Sequence, residues 1–235
     1  MLKVFCTKIG DKYGWEYVAR LASMFNRHLR LPFVFVCSCN PLRSDALRRI
    51  PMHPTVRMLY VTPARSCWGW WNLQEAYSNP RWAEGQPVLY VGLDTVITRD
   101  ITEVIRERIA ANQLTLMRDF SYMHPGEPNS LFLDTYADGV TFVPAGGVPL
   151  LWEAFNERIG PSCTYPMHVF NTEVMRENNI VPALWQDIYP DFLCSYKWPT
   201  LKTECPPEAV VCFHGEPRPA QAVEQTPWLK EHWCE

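Results

Sequence analysis

Hydrophobic and polar positions alternate between two rhythms along the N-terminal part of the chain. Lys3-Val4-Phe5-Cys6 is a short apolar run and predicts a first strand. Between Asp11 and Arg30, the residues Val18, Leu21, Ala22, Phe25 and Leu29 recur at helical spacing and make one apolar stripe. Leu31-Pro32 stops that helix. Phe33-Val34-Phe35-Val36-Cys37 is apolar throughout, as a strand covered on both faces is. A short helix over residues 44–50 and a strand over 56–61 complete the opening pattern. Strands and helices in that order predict parallel strands with right-handed crossovers and a ligand at their carboxyl edge.

The middle of the chain turns on Pro87-Val88-Leu89-Tyr90-Val91-Gly92-Leu93-Asp94-Thr95-Val96-Ile97. β-Branched and aromatic residues bounded by Pro87 and Gly92 predict a buried central strand, with Asp94 just past its end. Before it, Cys67-Trp68-Gly69-Trp70-Trp71-Asn72-Leu73 opens a helix whose tryptophans read as packing anchors. After it come a charged amphipathic helix over 101–109 and a strand over 114–117 that ends at Arg118-Asp119-Phe120. Pro125, Gly126, Pro128 and Asn129 mark an irregular loop. A strand over 139–143 and helices over 149–158 and 167–178 follow. Residues 182–207 are rich in proline and aromatics and read as a lid or acceptor wall. The expected class is α/β, a mostly parallel central sheet flanked by helices.

At 235 residues and 47% apolar content, a single domain over 1–235 with a sizeable core is expected. No apolar run approaches the roughly 18 residues that span a bilayer, and the N-terminus lacks the pattern of a secretory signal. The nine cysteines are scattered without a CxxC pair. They read as free thiols in a reducing cytoplasm, with Cys37 and Cys39 poorly placed to bridge each other. The net charge of −3 hides an asymmetry. Arg20, Arg27, Arg30, Arg43, Arg48, Arg49, Arg57 and Arg65 stand against Asp45 alone, a segment of +7, which leaves −10 elsewhere. Such a stretch attracts a polyanion or is a solvated surface.

Candidate chemistry lies at two places. A carboxylate beyond a parallel strand, as at Asp94, is positioned to hold a metal ion, or else forms a turn or helix cap. Far downstream, a strand-like Ala209-Val210-Val211-Cys212-Phe213 delivers His214-Gly215-Glu216-Pro217-Arg218-Pro219. There His214 can ligate a metal, Gly215 lets a phosphate approach the backbone, and Arg218 can pair with phosphate oxygens.

These stretches resemble a bacterial and phage family of glycosyltransferases with the GT-A fold, a Rossmann-like nucleotide-diphospho-sugar fold, distantly similar to the glycogenin-like retaining enzymes. The resemblance also rests on Gly10-Asp11-Lys12-Tyr13-Gly14, Gly69-Trp70-Trp71, Arg118-Asp119-Phe120, Asn129-Ser130, Ser195-Tyr196-Lys197, Trp228 and His232-Trp233. It implies a nucleotide-sugar half over 1–120, and an acceptor side with a metal and diphosphate segment over 121–235. It implies Mn2+ or Mg2+ held by Asp94 and His214, with Arg218 stabilising the departing diphosphate of a UDP-sugar. Asn129 and Ser130 would contact the sugar, or Asn129 caps a turn. Tyr13 would stack on the base, or is a surface tyrosine. Lys8 or Lys12 would meet phosphate, and Lys197 would approach the diphosphate or stay solvated.

Two departures stand out. The first acid of the family's Asp-x-Asp motif is Gly92, for which Asp119 or Asp100 could compensate. Where the family carries Gly-Asp-Gln, this chain reads Met167-His168-Val169-Phe170-Asn171. The implied function is transfer from a nucleotide sugar, with retention, to a glycan or, given the arginine excess, to modified DNA. The alternative is a catalytically degenerate protein that binds nucleotide sugar or glycan. A hydrolase using His214 and Asp94 lacks a nucleophile motif and ranks last.

Overall fold

Strand β1, Leu2–Lys8, runs through the middle of the molecule and is followed by helix α1, Trp15–His28. The predicted stripe is what α1 buries, with Val18, Leu21, Ala22 and Phe25 among its inward residues. The computed structural model describes residues 1–39, 56–60, 71, 74, 85–123, 126, 134–158 and 166–235. Strand β2 is Phe33–Cys39, β3 is Val56–Tyr60, β4 is Val88–Val91 and β5 is Thr95–Ile97. Helix α2, Thr102–Ala111, stops at Asn112, whose left-handed backbone lets its N–H reach the Arg108 carbonyl. Strand β6, Thr115–Arg118, leads into a 3-10 turn over Phe120–Met123. Strand β7 is Tyr136–Val143, α3 is Pro149–Arg158 and α4 is Met167–Glu177. Then follow β8, Ala183–Leu184; α5, Trp185–Ile188; β9, Leu193–Ser195; β10, Val210–Cys212; α6, Pro219–Ala222; and α7, Pro227–His232.

The strands form two sheets. A seven-stranded sheet has the order β3-β2-β1-β4-β7-β6-β8, and a three-stranded sheet has the order β5-β10-β9. β1 to β4 are mutually parallel along their shared edges, β7 is antiparallel to both neighbours, and β6 and β8 are parallel again. Because β2 and β3 lie to one side of β1 and β4 to the other, the strand order reverses between β1 and β4. In such sheets that reversal opens a crevice at the carboxyl ends of the two strands. The parallel opening expected from the sequence is present, and β7 is the exception to it.

The central strand expected between Pro87 and Gly92 is present as β4; the chain then turns at Gly92, where Thr95 donates its N–H to the Gly92 carbonyl at 3.1 Å, and passes from one sheet to the other. One expectation is corrected: residues 182–207 are not a lid throughout. They supply β8, α5 and β9, and Trp185, Phe192 and Leu193 are buried in the main core. Trp71 is fully buried and stacks on Phe155 at 5.2 Å, in keeping with a packing anchor. The helix expected over 44–50, and the rest of the one opening at Cys67, lie outside the described residues. The seven described cysteines, Cys37 and Cys39 included, are free.

Candidate functional site

The small sheet decides what meets at the crevice. β5 and β10 pair antiparallel with Thr95 opposite Cys212, so the residues just outside the pair are Asp94 and Phe213. The Phe213 N–H donates to the Asp94 carbonyl at 3.1 Å and fixes that register. β9 lies parallel to β10 with Ser195 beside Cys212, which carries Ser195 to the same end. Hydrophobic burial holds the arrangement: Phe213 is fully buried and stacks on Tyr196 at 4.1 Å, nearly coplanar. Asp94, Ser195 and His214, remote in sequence, therefore converge because three short strands share one register.

A cleft of about 310 Å³ opens there, lined by Asp94, Asp119, Phe120, His168, Trp198 and His214 among others. Asp94 and His214 thus face one space. From the β1 side the loop before α1 brings Tyr13, whose hydroxyl donates to Asp94 Oδ2 at 2.8 Å. Burial, and then the negative charge of Asp94, hold the Tyr13 phenol well above its ordinary pKa, so it stays a donor. Tyr13 is half-buried and tied to Asp94 rather than a plain surface residue.

His214 is clamped. Its backbone sits at φ 33°, its ring lies against Phe120 at 5.3 Å and Trp198 at 4.6 Å, and its Nε2 is 2.6 Å from Ser195 Oγ. Ser195 Oγ also accepts the backbone N–H groups of Lys197 at 3.1 Å and Trp198 at 2.9 Å. A hydroxyl has two acceptor lone pairs and one proton. With both lone pairs taken, the Ser195 proton must point at His214 Nε2, which is therefore bare and accepting, and the ring proton sits on Nδ1. The imidazole is neutral, in agreement with its pKa being lowered to about 4 by burial first and the Lys197 charge second. Asp119 and Asp94 pull the other way and lose.

Three cations lie beside Tyr13 and the His214 segment, outside the residues that line the cleft itself. Lys197 Nζ donates to the carbonyls of His214 at 3.2 Å and Glu216 at 3.0 Å. Arg218 Nη1 donates to the Lys12 carbonyl at 2.8 Å, while its Nε is buried without an acceptor among the described residues. The Arg218 guanidinium and the Lys12 ammonium lie 5.2 and 5.1 Å from the Tyr13 ring. Gly215 has φ 105°, and a Cβ there would stand 3.7 Å from Lys197 Nζ.

Among the described residues the donor set does not fit a resident divalent cation. Neither nitrogen of His214 offers a free lone pair, because Nε2 takes the Ser195 proton and Nδ1 carries its own. Asp94 keeps ligand capacity, but a Cβ at Gly92 would lie 3.1 Å from Asp94 Oδ1, so the missing carboxylate has no substitute at that position. The Cys212 thiol is pushed well up by burial and stays protonated. Among the described residues no group of three His, Cys, Asp or Glu side chains is placed to hold a metal.

The remaining expected residues divide. Asp119 lines the cleft, whereas Asp100 accepts from the Thr102 N–H and pairs with Arg30, which ties it to the start of α2. Lys8 is buried and donates to the Gly10 carbonyl, so it braces its own loop. Asn129 and Ser130 lie outside the described residues. Of the arginine-rich segment, Arg20 packs on Trp233 at 3.9 Å, Arg27 bonds the carbonyls of His232 and Cys234, and Arg30 pairs with Asp100. Those three serve the fold. Within Met167-His168-Val169-Phe170-Asn171, His168 reaches the cleft, while Asn171 is buried and bonded to Gln74. Sequence reasoning missed Ser195 as a site residue; the visible signal was its place in Ser195-Tyr196-Lys197.

No protein-family model matches the chain, and no curated protein matches it by sequence. Its fold does have solved counterparts. LgtC, in the structure of an active-site mutant, aligns with a TM-score of 0.57 at 12% identity, over 98% of this chain and 96% of that one. The bifunctional glycosyltransferase WbbM gives 0.59 at 14% identity, over 98% of this chain and 50% of WbbM. The glycosyltransferase GlyE of Streptococcus pneumoniae TIGR4 gives 0.61 at 10% identity, over 97% and 59%. This chain thus spans nearly all of LgtC, half of WbbM and somewhat more than half of GlyE. No helix among the described residues is long and apolar enough to cross a membrane. The architecture is α/β, and its fold is the GT-A fold of these glycosyltransferases.

Proposed function

We propose that the chain is a glycosyltransferase whose donor is a nucleoside diphosphate sugar, with its diphosphate seated in the cleft beneath Asp94, His214 and the neighbouring cations. One observation carries the reading: the Tyr13 loop, Asp94 and the His214 segment converge at the carboxyl edge of β1 and β4, where such sheets bind nucleotides. In transfer, negative charge grows on the departing diphosphate, and preorganised donors aimed at it lower the barrier. Arg218, with an unused buried N–H, and Lys197 are the donors assigned to that task. Uridine as the base, retention of configuration, and sugar contacts by Asn129 and Ser130 belong to the same proposal on the strength of the sequence resemblance. The acceptor proposed is a glycan, because Arg20, Arg27 and Arg30 of the basic segment are engaged within the fold. Mn2+ or Mg2+ enters no step of this proposal, since the donor set does not fit it.

Release of UDP from a panel of UDP-sugars, with glycan acceptors supplied, tests the reading. Asp94→Ala is expected to lower kcat/KM about 100-fold or more, the usual scale for loss of a charged site contact. Turnover unchanged in Asp94→Ala removes the site assignment. A second reading, a nucleotide-sugar binder without turnover, is favoured by Gly92 and by the burial of Asn171 where the family has acids. It predicts tight donor binding with no UDP released.

A further inference from the structure

The same side chains that leave a divalent cation unprovided for supply its charge in another form. His214 is turned into a structural pillar by Ser195, and position 92 offers no carboxylate. Around that gap stand Lys197, Arg218 and Lys12. Lys197 uses two of its three ammonium donors on the carbonyls of His214 and Glu216, which points the side chain over Gly215. The glycine leaves the ammonium uncovered on that side. Arg218 is aimed by one bond to the Lys12 carbonyl and keeps Nε buried with no acceptor among the described residues, a donor that a ligand oxygen would satisfy. Lys12 is exposed and shares the Tyr13 ring with Arg218. Against these charges stand Asp94, whose Oδ2 is held by Tyr13; Asp119, which lines the same cleft; and Glu216, 3.8 Å from Arg218 and largely solvent-facing.

Taking the cleft to be a nucleoside diphosphate site, as proposed above, we infer that Lys197, Arg218 and Lys12 neutralise the diphosphate directly, so that donor binding requires no divalent cation. Arginine forks pair with phosphate oxygens bidentately, and lysine acts as a point charge. Asp94 then receives a hydroxyl of the donor rather than an ion. The ligand class is any diphosphate ester, and inorganic pyrophosphate is its smallest probe.

Isothermal titration of UDP and of inorganic pyrophosphate into the full chain, in excess EDTA and in millimolar Mn2+, decides the matter. The expected result is binding in EDTA with affinity within about threefold of that in Mn2+. Lys197→Met and Arg218→Met are each expected to weaken both ligands about tenfold to a hundredfold, the range for charge-assisted hydrogen bonds. Both residues also brace backbone carbonyls, so Lys12→Ala is the third variant. Its side chain is exposed and, among the described residues, makes only a cation–π contact, so the fold is expected to survive, with about threefold to tenfold weaker binding that fades with added salt. UDP binding that appears only with Mn2+, or is tightened more than about tenfold by it, overturns the inference and leaves the proposed function standing. Binding in neither condition overturns both. Unchanged affinity in folded Lys197→Met, Arg218→Met and Lys12→Ala also overturns the inference.

Discussion

Two buried serines are expected to respond to the same mutation with opposite signs. Ser195 is fully buried and its hydroxyl is saturated, accepting from the N–H groups of Lys197 and Trp198 and donating to His214 Nε2 at 2.6 Å. Ser195→Ala leaves two backbone donors and a ring nitrogen without a partner. Each stranded buried group costs about 1–3 kcal/mol, and water reaching the half-exposed rim relieves part of it, so the net loss is about 2–4 kcal/mol. For a chain of this size that lowers Tm by about 4–16 °C. Ser38, at 1% exposure, is as deeply buried, yet its Oγ has no hydrogen-bond partner among the described residues. Ser38→Ala deletes a desolvated hydroxyl that gains nothing in the fold, and is expected to be neutral or to stabilise by about 1 kcal/mol. Urea unfolding followed by tryptophan fluorescence, with ΔG from linear extrapolation, measures both. Equal losses in the two variants, or a loss under about 0.5 kcal/mol for Ser195→Ala, would refute the hydrogen-bond inventory and with it the tautomer assigned to His214.

Acid should weaken the fold through His214. Its pKa falls from 6.5 to about 4 on folding, so protons favour the unfolded chain; the contribution is whole above pH 6.5 and is lost as pH drops toward 4. Between pH 7 and pH 5 this amounts to about 2 kcal/mol. His28, His168 and His232 are also lowered by burial, so the assay compares urea stabilities of wild type and His214→Asn, the asparagine tolerating the positive φ. Identical pH slopes for the two would refute the assignment. Phe213→Ala, which empties a fully buried site stacked on Tyr196, should cost about 3–5 kcal/mol and abolish UDP binding along with it. Intact UDP affinity in a destabilised variant would show that the β10 register does not position the cleft.

Much of the large sheet was legible because its signals are local. Helix α1 carries four of the five stripe positions, with Leu29 at its C-cap, and β1, β2 and β4 are apolar runs of the kind a covered strand shows. What periodicity does not carry is direction: Gly139 to Val143 reads as a strand either way, and its antiparallel pairing to β4 and β6 is a tertiary fact. Of the small sheet only β10 was legible, in the strand-like run 209–213; β5 and β9 are three residues each, too short for a period, and β5 follows β4 closely in the chain. A segment dense in proline and aromatics hid β9, although Leu193-Cys194-Ser195 is buried throughout.

The candidate site was legible as composition and illegible as chemistry. Asp94 and His214 can be named from their positions after strand-like runs, because the ends of strands are where such folds expose functional groups. The role of each is set by a neighbour supplied from a different strand. An imidazole is a metal ligand or a hydrogen-bond acceptor according to which nitrogen is protonated, and that is decided by the group on its other side. Here that group is Ser195, brought in by the pairing of β9 with β10, and its hydroxyl proton has a single direction left to it once two backbone N–H groups occupy its lone pairs. The same histidine, in the same sequence motif, would present a free nitrogen if position 195 were apolar. Whether His214 offers a nitrogen to a ligand therefore turns on a serine that no metal motif contains.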